Sequence, residues 1–235
     1  NAGGAWSPIG DVTTIMLWIG GQVSALSIIQ SIFIPSLICM VVPLIYLSFK
    51  LKGNISRPDK NIFIEHIKHP TTSFERNFVF FGGMLGLLFV PVFKTITHLP
   101  PYMGMLLSLG VLWLATELLH RRKNIEAKSL LSVVGVLKKV DTPTIFFFLG
   151  ILLAVSSLQS SGILNSVADY LDNTLGNIYV INVVIGLLSA IVDNVPLVAG
   201  AMGMYPISDS GVFAQDGIFW EFLAYCAGTG GSVLI

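Results

Sequence analysis

Long apolar runs separated by short polar stretches dominate this chain. A helix needs about 20 mostly apolar residues to cross a bilayer, and four runs approach or reach that length. They lie at 26–49, 78–93, 102–119 and 144–158. A further apolar run begins at Phe219 and leads into a glycine-rich stretch. The pattern predicts an all-α polytopic membrane protein.

The apolar run at 178–205 differs from the others because polar residues interrupt it. Asp193 and Asn194 lie near its centre, and Pro196 follows them. At about 1.5 Å per residue, roughly 28 residues can form two helical arms of about 20 Å each. Each arm would reach about the middle of the bilayer, so this run is long enough for a hairpin.

Composition supports a membrane protein. Hydrophobic residues make up 54% of the 235 residues and charged residues only 11%, whereas a soluble domain carries roughly 25%. So few charges could not cover an aqueous surface, and so apolar a chain is not disordered. The formal net charge is zero, so the chain lacks the excess of basic residues that would indicate nucleic-acid binding. Cys39 and Cys226 have no histidine partners and indicate neither a zinc site nor a disulfide framework.

The charges are distributed unevenly between the loops. Of the 13 lysines and arginines, all but Lys94 lie in the stretches 50–77 and 120–140, which the positive-inside rule places in the cytoplasm. Loops 159–177 and 206–218 carry only acidic charges and are assigned to the outside. Both of these loops can be outside only if the run between them enters and leaves the membrane by one face. We therefore predict a re-entrant hairpin at 178–205, with its polar residues near the tip.

Two shorter segments have the amphipathic pattern of helices at a membrane surface. Residues 130–137, which begin with Leu130, carry one apolar face with lysines nearby and predict a basic helix on the cytoplasmic leaflet. Residues 163–175 carry an apolar stripe opposite acidic residues and predict a connecting helix on the outer surface.

Carboxylates within a membrane are costly and by default indicate function. Five lie in or beside the predicted spanning segments: Asp11, Glu117, Asp141, Asp193 and Glu221. Glu117 and Glu221 lie near predicted helix ends, where the membrane interface explains them. Asp141 precedes a Thr-Pro pair, which suits a helix cap as well as a functional role.

Asp193 lies at the predicted hairpin tip and is the strongest candidate. Asn194 adds an amide oxygen, Ser189 adds a hydroxyl one turn earlier, and Pro196 leaves a backbone carbonyl without its donor. These are the hard oxygen ligands that a small cation prefers. A buried Asp-Asn turn without an ion is the alternative.

Glycine-rich breaks occur at both ends of the chain. Three glycines and a proline in 1–14 argue against a continuous helix, and unwound backbone at membrane depth survives only where it is buried in protein or lines a cavity. The side chains that can supply oxygen ligands around this break are those of Asn1, Ser7, Asp11, Thr13 and Thr14. A similar stretch at 227–232 follows the last apolar run. Two such breaks indicate discontinuous helices that meet at a substrate site.

Three motifs resemble one transporter family. Residues 1–14 read Asn-Ala-Gly-Gly-Ala-Trp-Ser-Pro-Ile-Gly-Asp-Val-Thr-Thr, and Met16-Leu17-Trp18 follows. Residues 189–198 read Ser-Ala-Ile-Val-Asp-Asn-Val-Pro-Leu-Val, and residues 226–232 read Cys-Ala-Gly-Thr-Gly-Gly-Ser. Together they closely resemble NhaD-type sodium/proton antiporters, in the ion transporter superfamily that also holds citrate, dicarboxylate and arsenite carriers. The resemblance spans essentially the whole chain.

The resemblance implies an inverted-repeat transporter in which each repeat has a re-entrant hairpin and a discontinuous helix, assembled as a homodimer. On this pattern, residues 1–50 end the first repeat, 51–77 form a cytoplasmic linker and 78–235 form the second repeat. The chain would begin and end inside discontinuous helices, as a fragment of a longer transporter. The expected location is a bacterial inner (plasma) membrane.

The resemblance also implies which residues handle ions or protons. They are Asn1, Asp11, Thr13, Thr14, Ser189, Asp193 and Asn194, together with Asp141, Thr229 and Ser232. Na+ is expected at Asp11, Asp193 and Asn194. No cofactor is expected besides the transported ions, and no enzymatic reaction.

The expected function is the exchange of Na+ or Li+ for protons by alternating access. Asp11 and Asp193 would each hold either a cation or a proton, so that one displaces the other. A carrier of citrate, another dicarboxylate or arsenite is the alternative, although no lysine or arginine lies near these acids. An intramembrane aspartyl protease is a third reading, but the Gly-x-Gly-Asp pattern of such enzymes is absent.

Overall fold

The structure is a computed structural model that describes residues 2–51, 53, 71–121, 123 and 131–233. Asn1, Leu130 and most of the predicted linker 51–77 therefore lie outside the described residues. The chain divides into two compact units. The first unit joins Asn1–Lys50 to Thr142–Ile235, and the second unit is Leu51–Asp141.

The described residues are mostly helical, which confirms the all-α class. In chain order the helices are α1 (Ala2–Ala5), α2 (Val12–Ile19), α3 (Ala25–Lys50), α4 (Ser73–Thr97), α5 (Pro101–Leu119), α6 (Val133–Leu137), α7 (Thr142–Ser160), α8 (Ile163–Leu175), α9 (Ile178–Leu188), α10 (Asn194–Met204) and α11 (Ile218–Gly230). Within the described part, α3, α4, α5 and α7 are long and apolar enough to cross a membrane. They coincide with the four predicted spanning runs and confirm a polytopic membrane protein.

Helix α11 forms the centre of the first unit. It packs against α1, α2, α3, α9 and α10. Its Phe219, Trp220, Leu223 and Ala227 are fully buried, whereas α7 has no buried residue and exposes its Phe and Leu side chains. The unit therefore has a small interior built around α11 and apolar outer faces suited to lipid.

The run at 178–205 folds as two helical arms of 11 residues each, α9 and α10, joined by residues 189–193. Each arm is about 16 Å long, which is about half of a bilayer core. The amphipathic helix α8 precedes the first arm, and the chain bends by 117° between α8 and α9. This geometry fits the predicted hairpin and connecting helix, while the face by which the hairpin enters a membrane stays a prediction.

The predicted helix break at 227–232 begins later than expected. Helix α11 continues through Gly228 and Thr229 and ends at Gly230, with Gly231 as its C-cap. Glycine lowers helix propensity, but here it permits close packing. A Cβ atom at Gly228 would lie 3.3 Å from the Cβ of Ala5, and one at Gly230 would overlap the carbonyl oxygen of Gly186. Close packing against α1 and α9 therefore outweighs the low propensity.

In the second unit, α4 and α5 form an antiparallel pair. Gly86 faces Ser108, whose hydroxyl donates to the Gly86 carbonyl oxygen at 3.1 Å. Helix α4 begins with a capping box between Thr72 and Glu75, and Glu75 also pairs with Lys123 at 2.5 Å. Gly82 and Gly86 thus lie at the packing contact with α5, where an added Cβ atom would lie 3.4 Å from Leu112 and 3.2 Å from Ser108, respectively.

Two boundaries in the second unit differ from the sequence prediction. Helix α4 continues to Thr97, beyond the predicted run that ends at 93, and α5 begins at Pro101, where a missing N–H does no harm. Within the described part of the predicted basic helix at 130–137, α6 forms five residues that the Ser132 hydroxyl caps. Its Val-Val-Gly sequence has low helix propensity, which limits its length.

The loop between α10 and α11 is fixed by aromatic packing. The rings of Tyr205 and Phe213 stack with centroids 4.9 Å apart, and Phe219 contacts both. The Tyr205 hydroxyl donates to Asp172 at 2.9 Å, and the Trp220 ring nitrogen donates to the Phe213 carbonyl oxygen at 3.0 Å. This cluster positions the start of α11.

Asp216 fastens this loop to the turn between α2 and α3. Its φ of 60° is left-handed, which favours glycine, asparagine and aspartate over other residues. Its backbone N–H donates to the Gln22 carbonyl oxygen at 2.8 Å, and its carboxylate accepts from the Ser24 N–H at 2.5 Å. One residue thus links two distant parts of the first unit.

We expect Asp216→Ala to destabilise the first unit by about 1–3 kcal/mol, because it loses a hydrogen bond and keeps a backbone conformation that alanine resists. Asp216→Asn, which keeps an acceptor oxygen and tolerates this φ, should be milder. The measurement is thermal unfolding of the purified protein in detergent. Asp209→Ala in the same loop is the control, since Asp209 is exposed. Equal loss from Asp216→Ala and Asp209→Ala would contradict the assigned role.

Candidate functional site

The C-terminal half of α11 lies between the two irregular parts of the first unit. On one side, a Cβ atom at Gly228 would lie 3.3 Å from the Asp11 carboxylate. On the other side, a Cβ atom at Gly230 would lie 2.5 Å from the Ser189 hydroxyl. The break between α1 and α2 and the turn of the hairpin therefore both approach one short stretch of α11.

The first irregular part is the break between α1 and α2. The chain turns back on itself at 6–11, where the Ser7 N–H donates to the Gly4 carbonyl oxygen and the Gly10 N–H to the Ser7 carbonyl oxygen, both at 3.1 Å. Gly4 and Gly10 are in close contact, since a Cβ atom at Gly4 would lie 2.7 Å from the Gly10 carbonyl oxygen. The predicted break is confirmed, and glycine is required there by this approach.

Asp11 ends the break in an extended conformation and precedes α2. Its carboxylate does not cap a backbone N–H and instead accepts a hydrogen bond from the Thr13 hydroxyl. The N-terminus of the eight-residue α2 favours a negative charge at this position. Asp11 is half-buried, so its carboxylate can be reached.

Thr13 and Thr14 are fully buried beside Asp11. The Thr14 hydroxyl donates to the Ala5 carbonyl oxygen at 3.3 Å, which ties α2 to the last residue of α1. The structure thus brings Asp11, Thr13 and Thr14 together around the break. Asn1, which was predicted to join them, lies outside the described residues.

The second irregular part is the hairpin turn. Ser189 is buried, and its hydroxyl donates to the Gly186 carbonyl oxygen at 2.7 Å. The Ala227 carbonyl oxygen is a second acceptor for this hydroxyl, at 3.3 Å. Asp193 precedes α10, and its carboxylate accepts from the Val195 N–H at 3.4 Å. Asp193 is exposed and Asn194 half-buried.

An open cavity of about 330 Å³ adjoins the hairpin turn. Ser189, Asp193 and Asn194 line it, together with Gly231 from the end of α11. The cavity is large enough for a hydrated small cation, and three of its lining side chains carry oxygen atoms. The structure therefore brings together the predicted site residues of the hairpin.

Three other predicted site residues lie differently. The Thr229 hydroxyl donates to the Tyr225 carbonyl oxygen at 2.6 Å, so it bonds within its own helix. Ser232 is exposed just after α11, where its N–H donates to the Thr229 carbonyl oxygen. Asp141 is exposed and ends the second unit, outside the unit that contains the two irregular parts.

Sequence reasoning missed Glu221. It was assigned to the interface at a helix end, but its side chain is buried in the first turn of α11. Its carboxylate accepts hydrogen bonds from the hydroxyls of Ser27 and Ser31 on α3. The spacing of these two serines, one helical turn apart in an apolar helix, was the available signal. The pairing partner could not be read from the chain.

The charge of the first unit is strongly asymmetric. Its stretches 1–50 and 142–235 contain one lysine, Lys50, and no arginine or histidine. They contain seven acids: Asp11, Asp169, Asp172, Asp193, Asp209, Asp216 and Glu221. A net negative unit attracts cations and repels anions. Within the described residues no group of three or more His, Cys, Asp or Glu suits a multivalent metal ion.

Comparison with known proteins finds relatives that match this chain over its whole length. Sodium/proton antiporter 1 and sodium/proton antiporter 2 of Arabidopsis thaliana are each 48% identical over 236 residues, which cover the whole chain and 39% and 54% of those proteins. Na(+)/H(+) antiporter NhaD of Vibrio parahaemolyticus is 30% identical over 255 residues, covering the whole chain and 58% of that protein. The chain thus spans only part of the length of these curated relatives.

No solved structure matches the chain. The family model described as the citrate transporter, CitMHS, matches residues 1–229. That family consists of transporters, so the chain is not an enzyme. The match covers both irregular parts and every helix of the first and second units except the last residue of α11. The chain accordingly belongs to the CitMHS citrate transporter family.

Proposed function

We propose that the protein to which this chain belongs exchanges Na+ or Li+ for protons across a membrane by alternating access. The observation that carries the proposal is the approach of two carboxylate-bearing irregular segments to one stretch of α11, in a unit almost without cationic side chains. Relatives named as sodium/proton antiporters support the choice of ions.

Each acid has a defined part in this proposal. Asp11, with the Thr13 hydroxyl, supplies oxygen ligands at the broken helix. Asp193 and Asn194, with Ser189 nearby, supply them at the hairpin cavity. A carboxylate that accepts a proton loses the negative charge that holds a cation. Competition between the two at the same oxygens couples the two flows.

The remaining predicted ligands extend this site. In sequence, Asn1 precedes the break between α1 and α2, and Ser232 follows the end of α11. We propose that these two residues supply the remaining oxygen ligands of the ion. Thr14 fixes the break through its bond to Ala5. The Thr229 hydroxyl is hydrogen-bonded within α11. Asp141 directly precedes α7, and we propose that it acts there and does not contribute an oxygen ligand to the ion.

We further propose the topology and assembly. The loops 50–77 and 120–140 would be cytoplasmic, the hairpin would be re-entrant, and 1–50 and 78–235 would belong to two inverted repeats. A homodimer in the inner (plasma) membrane of a bacterium is the proposed state. The Arabidopsis relatives extend the range of related proteins to a plant.

Transport of citrate is the second candidate, because the matching family model carries that name. A citrate anion carries several carboxylates and needs positive partners or helix N-termini. In the first unit the only lysine is Lys50, whose amine lies over the Tyr46 ring at the end of α3. The charge of the unit therefore favours cations over citrate.

The two candidates separate in a vesicle assay of the full-length protein. Everted vesicles are acidified inside, and Na+, Li+, K+ or citrate is added while a pH-sensitive dye reports the proton gradient. We expect Na+ and Li+ to dissipate the gradient strongly and citrate to have no specific effect. A response to citrate with none to Na+ or Li+ would overturn the exchange proposal. Vesicles without the protein are the control.

A further inference from the structure

The first unit contains a buried carboxylate, Glu221, besides the half-buried Asp11 and the exposed Asp193. Glu221 is 9% exposed, which is rare for a glutamate. One of its oxygen atoms, Oε1, accepts hydrogen bonds from both the Ser27 hydroxyl and the Ser31 hydroxyl, the latter at 2.9 Å. Two neutral hydroxyl groups of α3 thus donate hydrogen bonds to this carboxylate.

The α3 side of this contact offers further oxygen. Pro35 lies four residues after Ser31 inside α3. Proline has no N–H, so the Ser31 carbonyl oxygen lacks the donor that a regular helix would supply. Glu221, Ser27 and Ser31 therefore bring a carboxylate and two hydroxyls to one place, and the Ser31 carbonyl oxygen lies in the same turn of α3. These are hard oxygen ligands of the kind that small cations prefer.

No cationic side chain of the first unit compensates this carboxylate. Lys50 lies about 35 Å from Ser27 along α3, at 1.5 Å per residue. The titratable side chains on the neighbouring elements are thiol, phenol or carboxyl groups: Cys39 on α3, Tyr225 on α11, Tyr179 on α9, whose ring lies 5.7 Å from that of Phe222, and Asp216 before α11. A buried carboxylate without a countercharge is costly, so a proton or a bound cation lowers its energy.

The carboxylate also borders open space. A cavity of about 210 Å³ is lined by Glu221, Ser31 and Pro35, with Phe222 and Tyr225 forming apolar walls. A glutamate that only joined α3 to α11 would need no such space. The hydrogen-bonded pair of Glu221 and Ser31 therefore borders open space and is not enclosed on all sides by close packing.

We propose that Glu221, Ser27 and Ser31 form a second ion site, which holds a proton in one state and Na+ or Li+ in another. The inference rests on the proposed exchange function. Glu221 and Gly228, the residue beside Asp11, are two turns apart on α11, or about 10 Å. At that distance the charge at one site influences occupancy of the other. Helix α11 thus carries ion sites at both ends.

The test counts the protons that Na+ displaces from purified full-length protein in weakly buffered detergent solution, as a function of Na+ concentration. We expect Glu221→Gln to release about one proton fewer per protein than the wild type, because an amide does not titrate. The exposed acid Asp209 provides the matched control, and Asp209→Asn should release as many protons as the wild type. Li+ is run in parallel.

A second pair of variants keeps the carboxylate. Ser27→Ala and Ser31→Ala each remove one neutral ligand, and each should raise the Na+ concentration for half-maximal release about fivefold. If Glu221→Gln fails to fold, these variants decide the matter. Unchanged Na+ dependence in both, or an unchanged proton count in folded Glu221→Gln, would overturn the second site.

The failure of this site and of the proposed function can be told apart. Loss of proton release in Asp193→Asn together with wild-type release in Glu221→Gln would remove only the second site. Reduced release in Glu221→Gln together with wild-type release in Asp193→Asn would keep the second site and remove Asp193 from the mechanism. A wild-type protein from which Na+ or Li+ displaces no proton would overturn both proposals.

Discussion

Asp193→Asn in the full-length protein is expected to abolish Na+-driven and Li+-driven proton exchange in everted vesicles, down to the level of vesicles without the protein. The substitution removes the negative charge at the hairpin cavity and leaves the volume of the side chain almost unchanged. An amide neither titrates nor balances the charge of a cation. Both halves of the exchange therefore fail together.

The loss should not arise from unfolding. Asp193 is exposed, and its one described hydrogen bond is a long one to the Val195 N–H at 3.4 Å, which the asparagine oxygen can still accept. We therefore expect normal expression and an unfolding temperature close to that of the wild type. Asp209→Asn, which removes one exposed acid from the same unit, should exchange ions normally. Wild-type exchange by Asp193→Asn would exclude Asp193 from the ion site.

Gly186→Ala is expected to cause the second large effect, a loss of stability and with it of transport. A Cβ atom at Gly186 would lie 2.8 Å from the carbonyl oxygen and 2.9 Å from the Cβ of Cys226. The carbonyl belongs to the backbone of α11, so no side-chain rotation relieves the overlap. Helices α9 and α11 would have to separate, at a cost of about 1–3 kcal/mol typical of overpacking.

Gly150→Ala is the matched control for this prediction. Gly150 also lies inside an apolar helix of the first unit, but a Cβ atom added there would meet no heavy atom of a neighbouring element within 4 Å. Alanine there should be neutral, or stabilising by about 0.5–1 kcal/mol through helix propensity. Thermal unfolding and vesicle exchange of both variants provide the measurement. Equal behaviour of the two variants would mean that close α9–α11 packing does not matter.

The spanning helices could be predicted because each depends on a local property. A run of apolar residues of sufficient length forms a helix in a bilayer whatever it packs against, since every backbone polar group must be bonded within the helix. Helices α3, α4, α5 and α7 follow from this rule, with ends shifted by a few residues. The break before α2 was also predictable, because Gly4 and Gly10 lie in a short stretch with Pro8.

The corrections concern features that depend on a partner. Helix α11 continues through Gly228 and Gly230 because α1 and α9 pack closely against it, which glycine propensity alone does not express. Glu221 was assigned to an interface because a carboxylate near a helix end usually lies there. Its burial depends on Ser27 and Ser31, which lie about 190 positions earlier in the chain.

By itself the sequence determined that this chain is an all-α membrane protein, where its spanning segments lie, and that acids far outnumber cations in what becomes the first unit. These are properties of single segments and of composition, and bilayer insertion acts on each segment separately. Only the tertiary structure decided that Asp11 and the Ser189–Asn194 turn approach one stretch of α11, and that Glu221 bonds to α3. Proximity between distant segments depends on which small residues allow close contact, and that is a property of pairs.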